Sequence, residues 1–92
     1  MLKILERIDL RSYSENRALL LKELDELVIK TAEKNESGEI KIFMHHNIGS
    51  DFSIHLHREI PDNEKFESEL GIRLVASLKD FGFVNHSIWI EI

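Results

Sequence analysis

Two alternating runs, residues 39–47 and 51–59, flank the pentapeptide Asn47-Ile48-Gly49-Ser50-Asp51, and they constrain this chain more than any other feature. Apolar and polar residues in alternation mark a strand with one buried face, and a turn-rich break between two such runs marks a hairpin. The turn suggests the register. A two-residue Ile48-Gly49 turn of type I′ would require a positive φ at a β-branched isoleucine, which is costly. Pairing Asn47 with Asp51 avoids this and leaves Gly49 for the left-handed position. It also sets Ile40, Ile42 and Met44 on the same face as Phe52, Ile54 and Leu56, whereas a one-residue slip would divide the two sets.

The same even-numbered parity recurs at both ends of the chain. Leu2, Ile4, Ile8 and Leu10 alternate with Lys3, Arg7, Asp9 and Arg11; only Leu5 and Glu6 break the pattern. This reads as a half-buried strand, with a short amphipathic helix as the rival. The last run, Phe83 to Ile92, alternates Ile88, Ile90 and Ile92 with Ser87, Trp89 and Glu91. Two helical stretches lie between the strands. Ser12-Tyr13-Ser14-Glu15 fits a capping box, followed by a stripe of Leu20, Leu24, Leu27, Val28 and Thr31, and Asn35-Glu36-Ser37-Gly38 closes it. Glu23, Glu26 and Lys30 on the opposite side read as a solvated face. Pro61-Asp62-Asn63-Glu64 opens the second helix, with Asp62 or Asn63 as cap. Its stripe is Phe66, Leu70, Leu74, Leu78 and Phe81, with Val75 beside it; Gly71 is a candidate kink and Gly82 a natural residue just past the C-cap.

Strand-helix-strand-strand-helix-strand is the split βαβ order, so the expected fold is α+β and ferredoxin-like. Right-handed crossovers put both helices on one face of a four-stranded antiparallel sheet, with the first and third strands central. The 92 residues make a single domain spanning 1–92. A hydrophobic content of 42% with one proline argues against disorder, and the absence of cysteine excludes disulfides and thiolate metal sites. A net charge of −5 disfavours nucleic acid. The charged start, Met1 to Arg7, is not expected to act as a signal peptide, and no apolar run approaches the ~20 residues of a membrane helix. The expected setting is therefore soluble and cytoplasmic.

Function is expected on the face away from the helices. By parity it holds Leu5, Arg7, Phe43, His45, Ser53, His55, His57, Glu59, Trp89 and Glu91. A water-facing sheet should be plainly polar; aromatic and histidine residues there suggest a cover, and a second copy of the chain is the simplest one. Phe43 and Trp89 are candidates to stack an aromatic ligand, beside His45, His55 and His57. His55-Leu56-His57 places two imidazoles on one side of a strand, about 6.5–7 Å apart at Cα. With His45 on the neighbouring strand, next to Ser53 in this register, and Glu59 nearby, the set is a low-specificity candidate for zinc, nickel or ferrous iron. The structural reading of these histidines is polar packing in a dimer interface, and no metal is expected to be resident. His45 and His46, being adjacent, would point to opposite faces. His86 has core parity and would satisfy a strand terminus. Arg7 would pair across strands with Glu59 or Glu91. No P-loop, Rossmann fingerprint or GxSxG is present.

Ile8-Asp9-Leu10-Arg11 leaving the first strand, Leu56-His57-Arg58-Glu59 ending the third and Trp89 in the last give the chain a resemblance to the dimeric α+β barrel proteins of the antibiotic-biosynthesis-monooxygenase type, over its whole length in element order. The resemblance implies two ferredoxin-like subunits packed sheet to sheet around a small pocket for an apolar or aromatic ligand. Some such proteins oxidise aromatic or quinol-like substrates without metal or flavin, so no cofactor is expected. Arg58 stands where an aromatic residue is common in that family, and no catalytic residue matches position by position. His57, close to Trp89, is the candidate base for such chemistry, because a neutral imidazole suits proton abstraction near pH 7. The functional readings are therefore a homodimeric ligand-binding protein, a cofactor-independent monooxygenase, or a histidine-based metal-binding module.

Overall fold

The chain runs β1 (Leu2–Ser12), α1 (Arg17–Ala32), β2 (Glu39–Met44), β3 (Asp51–Ile60), α2 (Glu69–Leu78) and β4 (Gly82–Ile90) in a computed structural model. The structure describes residues 1–13, 17–32, 39–62 and 64–92, without the side chains of Arg17, Thr31 and Ala32. The four strands form one antiparallel sheet in the order β2-β3-β1-β4, which makes the fold ferredoxin-like. Among the described residues no helix is long and apolar enough to cross a membrane.

Parity explains the core. Ile8 and Leu10 of β1 and Phe52, Ile54 and Leu56 of β3 meet Leu20 and Leu24 of α1 and Leu70, Leu74 and Leu78 of α2 in one buried cluster. Both helices therefore cover the even-numbered face. The edge strands keep the parity but not the burial. Ile40, Ile42 and Val84 pack against the cluster while partly exposed, and Met44, Ile90 and Ile92 stand in solvent. A helix of 10 residues spans about 15 Å and a strand of 9 about 30 Å, so the strand ends outrun their cover.

Several local features differ from the sequence expectation. The hairpin pairs Met44 with Phe52, and the amide of His45 reaches the carbonyl of Asp51 at 3.0 Å, so the register is two residues off the Asn47–Asp51 pairing. A shift of two preserves which face each side chain occupies, so parity alone could not detect it. Ser12 is the last residue of β1, its amide donating to the Ser50 carbonyl; the rest of the proposed capping box and the Asn35–Gly38 stop lie outside the described residues. Helix α2 begins not at Asp62 but at Glu69, capped by the Ser68 hydroxyl, which accepts from the Gly71 amide at 2.8 Å; Asn63 is not described. Gly71 lies in the first turn of an unbroken helix. Gly82 is not a helix terminator but the first residue of β4, where a side chain would overlap the Arg11 carbonyl of β1.

Candidate functional site

The register organises the open face into rows across the sheet. One row reads Glu39–His57–Leu5–Trp89, the next Lys41–His55–Arg7–Ser87, the next Phe43–Ser53–Asp9–Asn85, and Asp51–Arg11–Phe83 closes the series. Three of its large apolar residues stand out: Phe43 is 47% exposed, Trp89 55% and Phe83 70%. The charges near its middle are neutralised within the face. Arg7 donates from Nε to Asp9 at 3.0 Å, not to Glu59 or Glu91, because Asp9 projects from the same side of the same strand. Arg11 makes two bonds of 3.1 Å to Asp51, which hold that carboxylate below its ordinary range. Trp89 donates its indole N–H to the Ser87 hydroxyl at 3.0 Å, which fixes the ring along β4.

Two open grooves cross this face. The first, of about 710 Å³, runs over Phe43, His45, His55, Arg7 and Phe83. The second, of about 700 Å³, runs over Leu5, His57, Glu59 and Trp89. The residues expected to share one ligand are thus divided. Phe43 and Trp89 lie on the two edge strands, roughly 14 Å apart across the sheet and offset along it, too far to sandwich one ring. His55 and His57 do share the face, with ring centroids 6.4 Å apart. His55 packs on Phe43 at 4.6 Å and bonds Ser53 through Nε2 at 2.9 Å. Burial, then the positive field of Arg7 and of His57, pushes its pKa below the ordinary histidine value. His45 does not sit beside Ser53; Phe43 takes that place. Past the end of β2, the Nδ1 of His45 accepts the amides of Asn47 and Ile48, each at 3.1 Å, and its ring stacks on His46 at 5.1 Å. Adjacent histidines can stack because the strand, and its alternation, ends at Met44. No group of three or more metal-ligating side chains occurs among the described residues.

The helix side holds a polar cluster that the sequence reading missed. Glu6 has an inward parity and is 0% exposed. Its carboxylate accepts the Ser68 hydroxyl at 2.6 Å and the Ser68 amide at 3.2 and 3.3 Å, and meets Nε2 of His86 at 2.6 Å. Arg58, 13% exposed, places its buried Nε 3.8 Å from Glu6, where it pairs electrostatically but makes no hydrogen bond; its guanidinium also donates to the Phe66 carbonyl. His86 therefore serves a carboxylate in the middle of the sheet, not a strand terminus. Gly71 completes the cradle: a side chain there would overlap the Glu6 carboxylate. The cluster had a legible signal, since Glu6, Arg58 and His86 are complementary polar residues at inward positions on three neighbouring strands.

Neither a comparison with known protein families nor one with curated proteins finds a match. Among solved structures, one described as the crystal structure of an antibiotic biosynthesis monooxygenase aligns over 100% of this chain and 97% of its own, with a TM-score of 0.58 and 20% sequence identity. At that identity the likeness is one of fold, and the chain has the ferredoxin-like fold of that monooxygenase structure.

Proposed function

We propose that the protein works as a homodimer, its two open sheet faces packed together, and holds a small apolar or aromatic ligand in the grooves between them. The observation that carries this reading is the open face itself, which exposes Phe43, Phe83 and Trp89 around ion pairs that are already closed within one subunit. Apolar surface gains from being covered. The internal pairing of Arg7 with Asp9 and Arg11 with Asp51 means that covering the face leaves none of these four charges stranded. Sedimentation equilibrium tests the dimer, with about 1,200–2,000 Å² of buried surface expected for a stable pair. A monomer at micromolar concentration would reject the reading.

A second reading is cofactor-independent oxygenation. It draws on the activity named for the structural neighbour and on His55, whose surroundings keep it neutral near pH 7. The base would be His57 or its neighbour His55, taking a proton from the substrate. Oxygen uptake with quinol-like substrates, abolished in His55→Gln/His57→Gln, would support it; uptake unchanged in that variant would remove these histidines from the chemistry.

A further inference from the structure

Between β3 and α2 the local signals and the observed structure point in different directions. Pro61, Asp62 and Glu64 are residue types that start helices, and Phe66 lies four positions before Leu70 on the buried stripe of α2. Yet residues 61–62 and 64–68 are not helical, and Phe66 is only half-buried. Among the described residues this strap is anchored by Arg58 on the Phe66 carbonyl, Ser68 on Glu6, a bond from the Glu64 amide to the Pro61 carbonyl, and Asp62 at 3.7 Å from the amino terminus.

The strongest anchor is Ser68. In a helix continued back to Glu64, the Ser68 amide would bond the carbonyl of Glu64, four residues earlier. Glu6 would lose that amide, and the Ser68 hydroxyl would no longer cap the helix start beside it. A fully buried carboxylate deprived of donors is disfavoured more than one added helical turn is favoured. The same carboxylate occupies the space above Gly71, so the first turn of α2 is built around it.

We propose that residues 64–68 form a two-state strap, and that the Glu6 carboxylate selects the state. While Glu6 holds Ser68 the strap stays unwound; released, it winds onto the start of α2 and brings Phe66 onto the buried stripe. Winding would also draw Asp62 from the amino terminus, at the end of the sheet where Lys3, Glu59 and Glu91 border the second groove. The strap thus links the helix-side cluster to that groove.

Amide hydrogen exchange and backbone chemical shifts at residues 65–68 test the proposal in the full chain. Glu6→Met, which fills the space but accepts nothing, should increase protection of these amides about tenfold or more and give helical shifts. Glu6→Gln, which keeps an acceptor for Ser68, should leave them as in wild type. Ser68→Ala preserves the core and serves if Glu6→Met does not fold; it should also raise protection, by a smaller factor. Wild-type exchange at residues 65–68 in every folded variant would overturn the proposal, as would equal winding in Glu6→Gln and Glu6→Met.

Discussion

Glu6 is the residue on which most of the chain converges: β1 carries it, β3 supplies Arg58, β4 supplies His86, and the start of α2 supplies Ser68. Removing one partner from a buried ionic cluster leaves the others uncompensated, typically at about 3–5 kcal/mol. Glu6→Ala should therefore lose that much stability in urea unfolding, a large part of the ~5–15 kcal/mol available to a domain, whereas the exposed Glu26→Ala should stay within about 0.5. His55 carries a second expectation. Its folded pKa lies below the unfolded value of 6.5. Above pH 6.5 both states are neutral and its surroundings cost nothing; as pH falls through 6.5 the unfolded chain takes up the proton first, and stability declines until the folded value is passed. Melting temperature should drop from pH 7 toward pH 5, and His55→Gln should flatten the slope. An unchanged slope would remove His55 from the effect. The Asp51 carboxylate, held low by Arg11, acts in a separate and more acid window, below the ordinary aspartate value of 3.8. The face of each of these residues was legible from strand parity; the partners of Glu6 were not, because its diagonal contacts to Arg58 and His86 depend on strand order and side-chain reach.

At the scale of elements, the centres of both stripes are buried, Leu20 and Leu24 in α1 and Leu70, Leu74 and Leu78 in α2, while Leu27, Val28 and Phe66 are only partly covered. Leu24 and Leu74 lie at the centre of the core, so Leu24→Ala and Leu74→Ala should each cost about 2–5 kcal/mol by thermal or urea unfolding. Gly71 reverses an ordinary rule. Glycine to alanine inside a helix normally gains about 0.5–1 kcal/mol, but here the new methyl meets the Glu6 carboxylate, so Gly71→Ala should destabilise. A gain in stability would mean that the carboxylate can move aside. Strand and helix identities could be read from periodicity. The start of α2 could not, because a cap depends on what the serine meets in three dimensions: Ser68 meets Glu6, 62 positions away in sequence. The hairpin register eluded the same reasoning because a shift of two leaves every side chain on its face.

Among the described residues the whole molecule is a sheet covered by helices on one face. If two copies cover the other side, truncating an aromatic near the grooves should loosen the pair. Trp89→Ala should raise the dimer dissociation constant well beyond any change from Glu26→Ala, measured by sedimentation at several concentrations. Equal dissociation constants would place Trp89 outside the contact. The fold was legible because a single parity ran through all four strands; the offset of Phe43 from Trp89 along the sheet was not, since it depends on a hairpin register that parity does not determine.

The cradle formed by Glu6 and Gly71 also imposes an order on sequence change. A descendant that first replaced the carboxylate with something smaller would vacate the space, and residue 71 would then be free to acquire a methyl and a better helix. One that acquired the methyl first would suffer the overlap at once. The two routes reach the same pair of residues through different intermediates, one with the partners of Glu6 left unpaired and one with the overlap in place, so what a change at position 71 costs is gated by history at position 6.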